Sequence, residues 1–208
     1  PLGIYLWEQY LLQLLVTRLK VFDYLRKNPN LSTNNVHQPI MILGLPRTGS
    51  TFLHYLLSLD SKNNHTFTFE ELYNPCPSPL PNNKSQFGVK RLKAQIIASF
   101  LQSLAPQLKV IHEVNPDLPE ECFVLLEGSL FSQSFNLRAD IPSYMEWLRT
   151  QDFHNAYQHH ARQFRILSYH FRDKRIILKS PIHLLNLKSL TEVYSGIKLI
   201  FTHRDPLK

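Results

Sequence analysis

The residues Gly44-Leu45-Pro46-Arg47-Thr48-Gly49-Ser50-Thr51 constrain the fold more tightly than any other stretch of this 208-residue chain. An apolar, β-rich run, Pro39-Ile40-Met41-Ile42-Leu43, precedes them, and Phe52, Leu53, Leu56 and Leu57 follow at helical spacing. Strand, glycine loop, helix is the context in which a loop holds phosphate. Two glycines let backbone N–H groups turn inward, and the helix start adds unpaired donors and the positive end of its dipole. Ser50 and Thr51 stand where a hydroxyl can cap that helix or touch an anion.

The rest of the chain alternates in the same way. Ile4 to Lys27 reads as an amphipathic helix, with Leu11, Leu15, Phe22 and Leu25 near helical spacing, stopped by Asn28-Pro29-Asn30. Glu8, Gln9, Gln13 and Arg18 interrupt it too often for a membrane span. His65-Thr66-Phe67-Thr68-Phe69 alternates as a short strand, closed by Glu70-Glu71. The prolines from Pro75 to Pro81 dictate a stiff loop. Helices are expected over Lys84–Ala105, from Asp117 onward, over Ser143–Arg149, over Asp152–Arg172 and over His183–Tyr194. Arg175–Leu178 and Ile197–Phe201 read as strands. Strands separated by helices predict a three-layer α/β fold, a mostly parallel sheet with helices on both faces, within one domain spanning 1–208.

Net charge is +7 and the pI about 9.4, a balance that favours an anionic partner. No dense Lys/Arg block or zinc-finger spacing points to nucleic acid. Cys76 and Cys122, far apart, read as buried thiols rather than a disulfide. The tandem His159-His160 has no carboxylate or cysteine at a metal-ligand spacing and is expected on a helix surface; no metal site is predicted.

The loop departs from a Walker A loop at a decisive place. Ser50 occupies the lysine position, and the cation lies inside the loop as Arg47. A nucleoside-triphosphatase or kinase needs that lysine on the β/γ-phosphates and a Mg²⁺ ligand after it. Two further strand ends carry cations. Leu178-Lys179-Ser180-Pro181 follows one strand, and Phe201-Thr202-His203-Arg204-Asp205-Pro206 follows the other. In doubly wound sheets such carboxyl ends bind the ligand.

Pro46-Arg47-Thr48-Gly49-Ser50-Thr51-Phe52 resembles the 5′-phosphosulfate loop of sulfotransferases that use 3′-phosphoadenosine 5′-phosphosulfate (PAPS). The likeness is closest to a branch carrying Leu-Pro-Arg-Thr-Gly, Pro-Glu-Glu-Cys, Lys-Ser-Pro-x-His-Leu and His-Arg-Asp-Pro, and runs from about Pro39 to Pro206. It implies a P-loop-like fold and PAPS as sulfuryl donor, leaving PAP, without a metal. It also implies that Arg47, Thr48, Gly49, Ser50 and Thr51 hold the 5′-phosphosulfate, that Lys179 contacts the transferring group, and that Arg204 holds the 3′-phosphate with a serine about eight residues later, beyond Lys208. A base must take the acceptor's proton. The family pattern of a glutamate shortly before a proline-rich stretch matches Glu71, with Glu70 expected to face away on extended backbone and His112 or His183 as competitors.

The acceptor stays open among steroid, phenol, sugar and peptide tyrosine hydroxyls. A catalytically incompetent PAPS-like nucleotide-binding or scaffold module is the alternative reading. The chain starts at Pro1 and stops just after a motif, so more sequence is expected at both ends. Sequons at Asn30, Asn64 and Asn83 are about what chance supplies; a cytoplasmic location is favoured, with the Golgi lumen the alternative because the true N-terminus is unseen.

Overall fold

The computed structural model describes residues 2–33, 38–77, 92, 115 and 117–205. The expected helix over Lys84–Ala105 and the segment containing His112 lie outside these residues, apart from Leu92. The first helix, α1, spans Leu2–Lys27, and a short helix α2 follows at Asn30–Thr33. Strand β1 is Ile40–Gly44, helix α3 Ser50–Ser58, strand β2 Asn64–Thr66 and helix α4 Phe69–Tyr73. Then come α5 (Val124–Glu127), a 3₁₀ turn at Gln133–Leu137, α6 (Pro142–Arg149) and α7 (His154–Ser168). Strand β3 (Arg175–Lys179) leads through a 3₁₀ turn at Pro181–Asn186 into α8 (Leu187–Val193), and β4 (Lys198–Thr202) closes the described order.

The strands form one parallel sheet in the order β2-β3-β1-β4. Helices cover it, giving a three-layer, P-loop-like α/β fold. β1 runs Ile-Met-Ile-Leu-Gly without a polar residue because a central parallel strand is buried on both faces. Alternation sorts its side chains. Met41 and Leu43 join Ile176 and Leu178 of β3 in the main core with Tyr157, Phe164 and Leu190. Ile40 and Ile42, paired with Ile177 and Lys179, point to the opposite face, where α3 packs on β3.

Three expectations change. Residues 67–69 do not extend the strand. Thr68 instead caps α4, its hydroxyl accepting from the Glu71 N–H while the Glu71 carboxylate accepts from the Thr68 N–H, a reciprocal capping box. Glu70 and Glu71 therefore lie in a helical first turn rather than alternating on extended backbone. Asp117 does not start a helix; Pro119 bridges Thr68, Glu120 donates its N–H to the Phe67 carbonyl, and the helix begins at Val124. Finally, His159 and His160 are buried rather than on a surface. Helix α7 is covered by α1 and α2 on one side and by α5 and α8 on the other, so residues 100° apart both point inward. Phe22 of α1 stacks on His159, and Tyr194 meets His160.

Candidate active site

The glycine loop is held at both ends. A Cβ on Gly44 would fall 2.1 Å from Thr202 Oγ1 and 2.7 Å from Thr48 Oγ1, so only glycine lets the loop leave β1 against the end of β4. Thr48 donates its hydroxyl to the Leu45 carbonyl at 2.7 Å, and its N–H bonds the same oxygen at 3.3 Å. The Thr48 and Thr202 hydroxyls share a 2.7 Å hydrogen bond, and Thr202 Oγ1 also reaches the Leu43 carbonyl. Gly49 sits at φ 88°, the left-handed region that glycine enters without strain. Arg47 adopts φ 71°, which costs a residue with a Cβ about 1–2 kcal/mol and is the sort of strain that collects at ligand clamps.

Helix α3 opens immediately after Gly49 with no side chain capping it. Its first amides have no acceptor within the helix, and they meet the loop at the carboxyl end of the sheet. This open helix start fits the phosphate-bearing end of a nucleotide. Ser50 is buried, while Arg47 and Thr51 are exposed.

Lys179 provides the cation that the loop lacks at its Walker position. It ends β3 on the α3 face, in register with Ile42, and its side chain is 1% exposed. Its ammonium donates to Thr51 Oγ1 at 3.1 Å and to Glu121 Oε1 at 2.5 Å. Glu121 Oε2 also lies 3.4 Å from the Ser180 hydroxyl, which donates to it. The backbone reinforces the arrangement, because the Cys122 N–H donates to the Lys179 carbonyl at 3.1 Å. His54, one turn along α3 from Ser50, is buried below this group with Nε2 3.4 Å from the Ile177 carbonyl. Burial, then the nearby Lys179 charge, pushes its pKa down to about 4, so it is neutral at physiological pH.

Loop, Lys179 and Glu121 thus converge, whereas Glu71 is engaged elsewhere. Its Oε2 accepts from the Thr68 N–H at 2.8 Å and the Thr68 hydroxyl at 3.1 Å, and its Oε1 lies 3.4 Å from His65 Nε2. Burial alone would raise its pKa, but the His65 and Thr68 hydrogen bonds outweigh that and hold it below the usual carboxylate range. The Thr68–Pro119 bridge nevertheless brings the start of α4 beside the strand-like segment that carries Glu121. Arg204 lies exposed two residues beyond β4, next in the sheet to β1 and its loop. His183 is fully buried and pushed down to about 3 by that burial. Sequence reasoning did not single out Glu121; its signal was the Pro119-Glu120-Glu121-Cys122 motif, whose partner Lys179 is far along the chain.

A glycine loop with a displaced cation, feeding an uncapped helix and facing a buried lysine, defines a P-loop-like α/β protein without the Walker lysine. The chain belongs to the sulfotransferase family, whose model matches residues 39–208. It is 27% identical over 179 residues to the omega-hydroxy-beta-dihydromenaquinone-9 sulfotransferase Stf3 of Mycobacterium bovis and of Mycobacterium tuberculosis, a match covering 81% of this chain and 42% of each relative. Among solved structures it resembles sulfotransferase STF1 from Mycobacterium tuberculosis, with TM-score 0.79 and 30% identity over 98% of this chain and 55% of that one. Sulfotransferase STF9 from Mycobacterium avium shares the fold, with TM-score 0.80 at 23% identity over 99% of this chain and 53% of that one. The chain therefore spans about half the length of these relatives.

Proposed function

We propose that this chain carries the donor site and central catalytic cation of a PAPS-dependent sulfotransferase acting on a hydroxyl of a small-molecule, carbohydrate or peptide acceptor. The observation that carries the reading is Lys179, buried at a strand end and hydrogen-bonded to Thr51 in the first turn behind the loop. PAPS supplies an activated sulfuryl group on a phosphate leaving group. Around its 5′ end, Arg47 and the amides and hydroxyls of Thr48, Gly49, Ser50 and Thr51 are the proposed ligands, with Arg204 on the 3′-phosphate. As the acceptor oxygen bonds to sulfur, the S–O bond to the phosphate breaks and its electron pair leaves with PAP. Lys179 is placed to neutralise that charge, a role that needs a fixed cation in a water-poor site. The acceptor's proton passes to a carboxylate.

Glu71 is the proposed base by its position ahead of the proline-rich segment. A second assignment, Glu121, is favoured by one contact, its carboxylate 2.5 Å from the Lys179 ammonium. The two are separable with a panel of hydroxyl acceptors. Loss of the base lowers kcat about 10²–10⁴-fold with PAP affinity kept, so Glu71→Gln and Glu121→Gln should fall into opposite classes.

The first test is calorimetric titration with PAP in EDTA and in Mg²⁺. Equal, saturable binding in both, weakened by Lys179→Met, is expected. Binding that requires Mg²⁺ points to a kinase-type site and overturns the proposal. Binding without sulfuryl transfer to any acceptor points to a nucleotide-binding module.

A further inference from the structure

Behind Lys179 lies a group of side chains to which the proposed transfer assigns no role. Cys122, His160 and His183 are all buried, and one donor atom from each lies within 4.8 Å of the other two. Cys122 Sγ is 3.2 Å from His183 Nε2 and 3.9 Å from the Met41 thioether sulfur. The far nitrogen of each imidazole meets a tyrosine: His183 Nδ1 lies 2.7 Å from the Tyr157 hydroxyl, and His160 Nδ1 lies 2.6 Å from the Tyr194 hydroxyl. His160 Nε2 has no hydrogen-bond partner among the described residues, although the Cys122 backbone lies near it. A buried ring nitrogen without a well-formed hydrogen bond is costly to keep.

We propose that Cys122, His160 and His183 form a buried site for one soft d¹⁰ cation, cuprous copper, with the Met41 thioether as a weak additional donor. Thiolate, thioether and imidazole together are the ligand set that selects Cu(I) over harder ions. Three donors around a metal at about 2.0–2.3 Å stand about 3.3–3.8 Å apart. The Cys122–His183 pair is close to that spacing, and the 4.8 Å limit leaves only a small closure for the rest. The tyrosine partners of the two imidazoles can accept the Nδ1 protons and so leave both Nε2 lone pairs for the metal, as outer-shell groups do at metal-bound histidines. Binding replaces the Cys122 thiol proton, which is released, and the copper keeps its oxidation state. A monovalent ion with one thiolate makes a neutral complex, whereas Zn²⁺ would leave a net positive charge in an apolar core.

The cation would tie three elements together: the segment ending in Cys122, helix α7 through His160 and the turn after β3 through His183. Since the Cys122 N–H already holds the Lys179 carbonyl, the site would brace the backbone that positions Lys179.

The test is an anaerobic titration of the whole chain with Cu(I) against a chromogenic chelator, repeated with Zn²⁺. One equivalent of Cu(I), released protons and a melting temperature raised by about 5 °C or more are expected. X-ray absorption at the copper edge should report one or two sulfur and two nitrogen donors. Cys122→Ser and His160→Gln should lose the high-affinity equivalent, and Cys76→Ser should keep it. No uptake by the folded wild-type chain, or uptake that Cys122→Ser leaves intact, overturns the site. Tighter binding of Zn²⁺ than of Cu(I) overturns the copper assignment. The absorption spectrum reads the ligands in the wild-type chain, and a spectrum with no sulfur donor overturns the site whether or not the variants fold.

Discussion

Arg47 and His54 lie a few residues apart and answer to different physics. Arg47 is exposed, strained in φ and inside the glycine loop. Arg47→Ala should weaken PAP binding roughly 10- to 100-fold, the loss of one charge-assisted hydrogen bond, with the melting temperature close to that of the parent. Unchanged affinity in calorimetry would remove this residue from the site. His54 is neutral and buried, with a pKa of about 4 in the folded chain. Because that lies below the unfolded value of about 6.5, the unfolded state alone takes up the proton as pH falls through this window. Stability contributed by the neutral ring is therefore present above about pH 6.5 and is lost toward pH 4. In urea melts, the gap between wild type and His54→Gln should narrow by about 2 kcal/mol from pH 7 to pH 5. A gap that stays constant would show that His54 ionises normally.

Helix α4 shows how one element can redirect a residue. The alternation of His65 to Phe69 is that of a strand, but Thr68 followed by Glu71 is a capping box, and the cap wins. Both signals are local and both are in the sequence. The segment around Pro119, pairing with Thr68 from far along the chain, favours ending β2 at Thr66. Thr68→Ala should cost about 1 kcal/mol in chemical denaturation, and it should free the Glu71 carboxylate from one of its three contacts. If Glu71 is the base, its altered position should change kcat while PAP affinity stays; a change in stability with unchanged kcat would make Thr68 and Glu71 a purely structural pair. The adjacent histidines of α7 show the same effect at helix scale. Helical periodicity assigns one apolar stripe, but α7 is packed on two sides, so polar-looking positions go inside with aromatic and hydroxyl partners.

Across the whole molecule, α1 is fastened to the core through a buried acid. The Tyr10 hydroxyl donates to Glu127, which also accepts from the Ser134 hydroxyl at 2.5 Å and pairs with Arg138 at 2.7 Å. Glu127 has no exposed surface, so Arg138→Met would strand a charge in the core and should cost about 3–5 kcal/mol. Equal urea midpoints for the two proteins would show that Tyr10 and Ser134 suffice. The sequence alone determined the strand–loop–helix unit from Ile40 to Ser58, strands β3 and β4 and the helices α1, α6 and α7 to within a few residues, because hydrophobic period and turn chemistry are local properties. It also determined that Lys179 and Arg204 follow strands, which sends them to one edge of a parallel sheet. Tertiary structure alone decided that Lys179 meets Glu121 and Thr51, that Thr48 meets Thr202, and that Cys122, His160 and His183 come together. Those contacts join residues up to 154 positions apart. They depend on strand register and on which helix faces are covered, and no local periodicity encodes either.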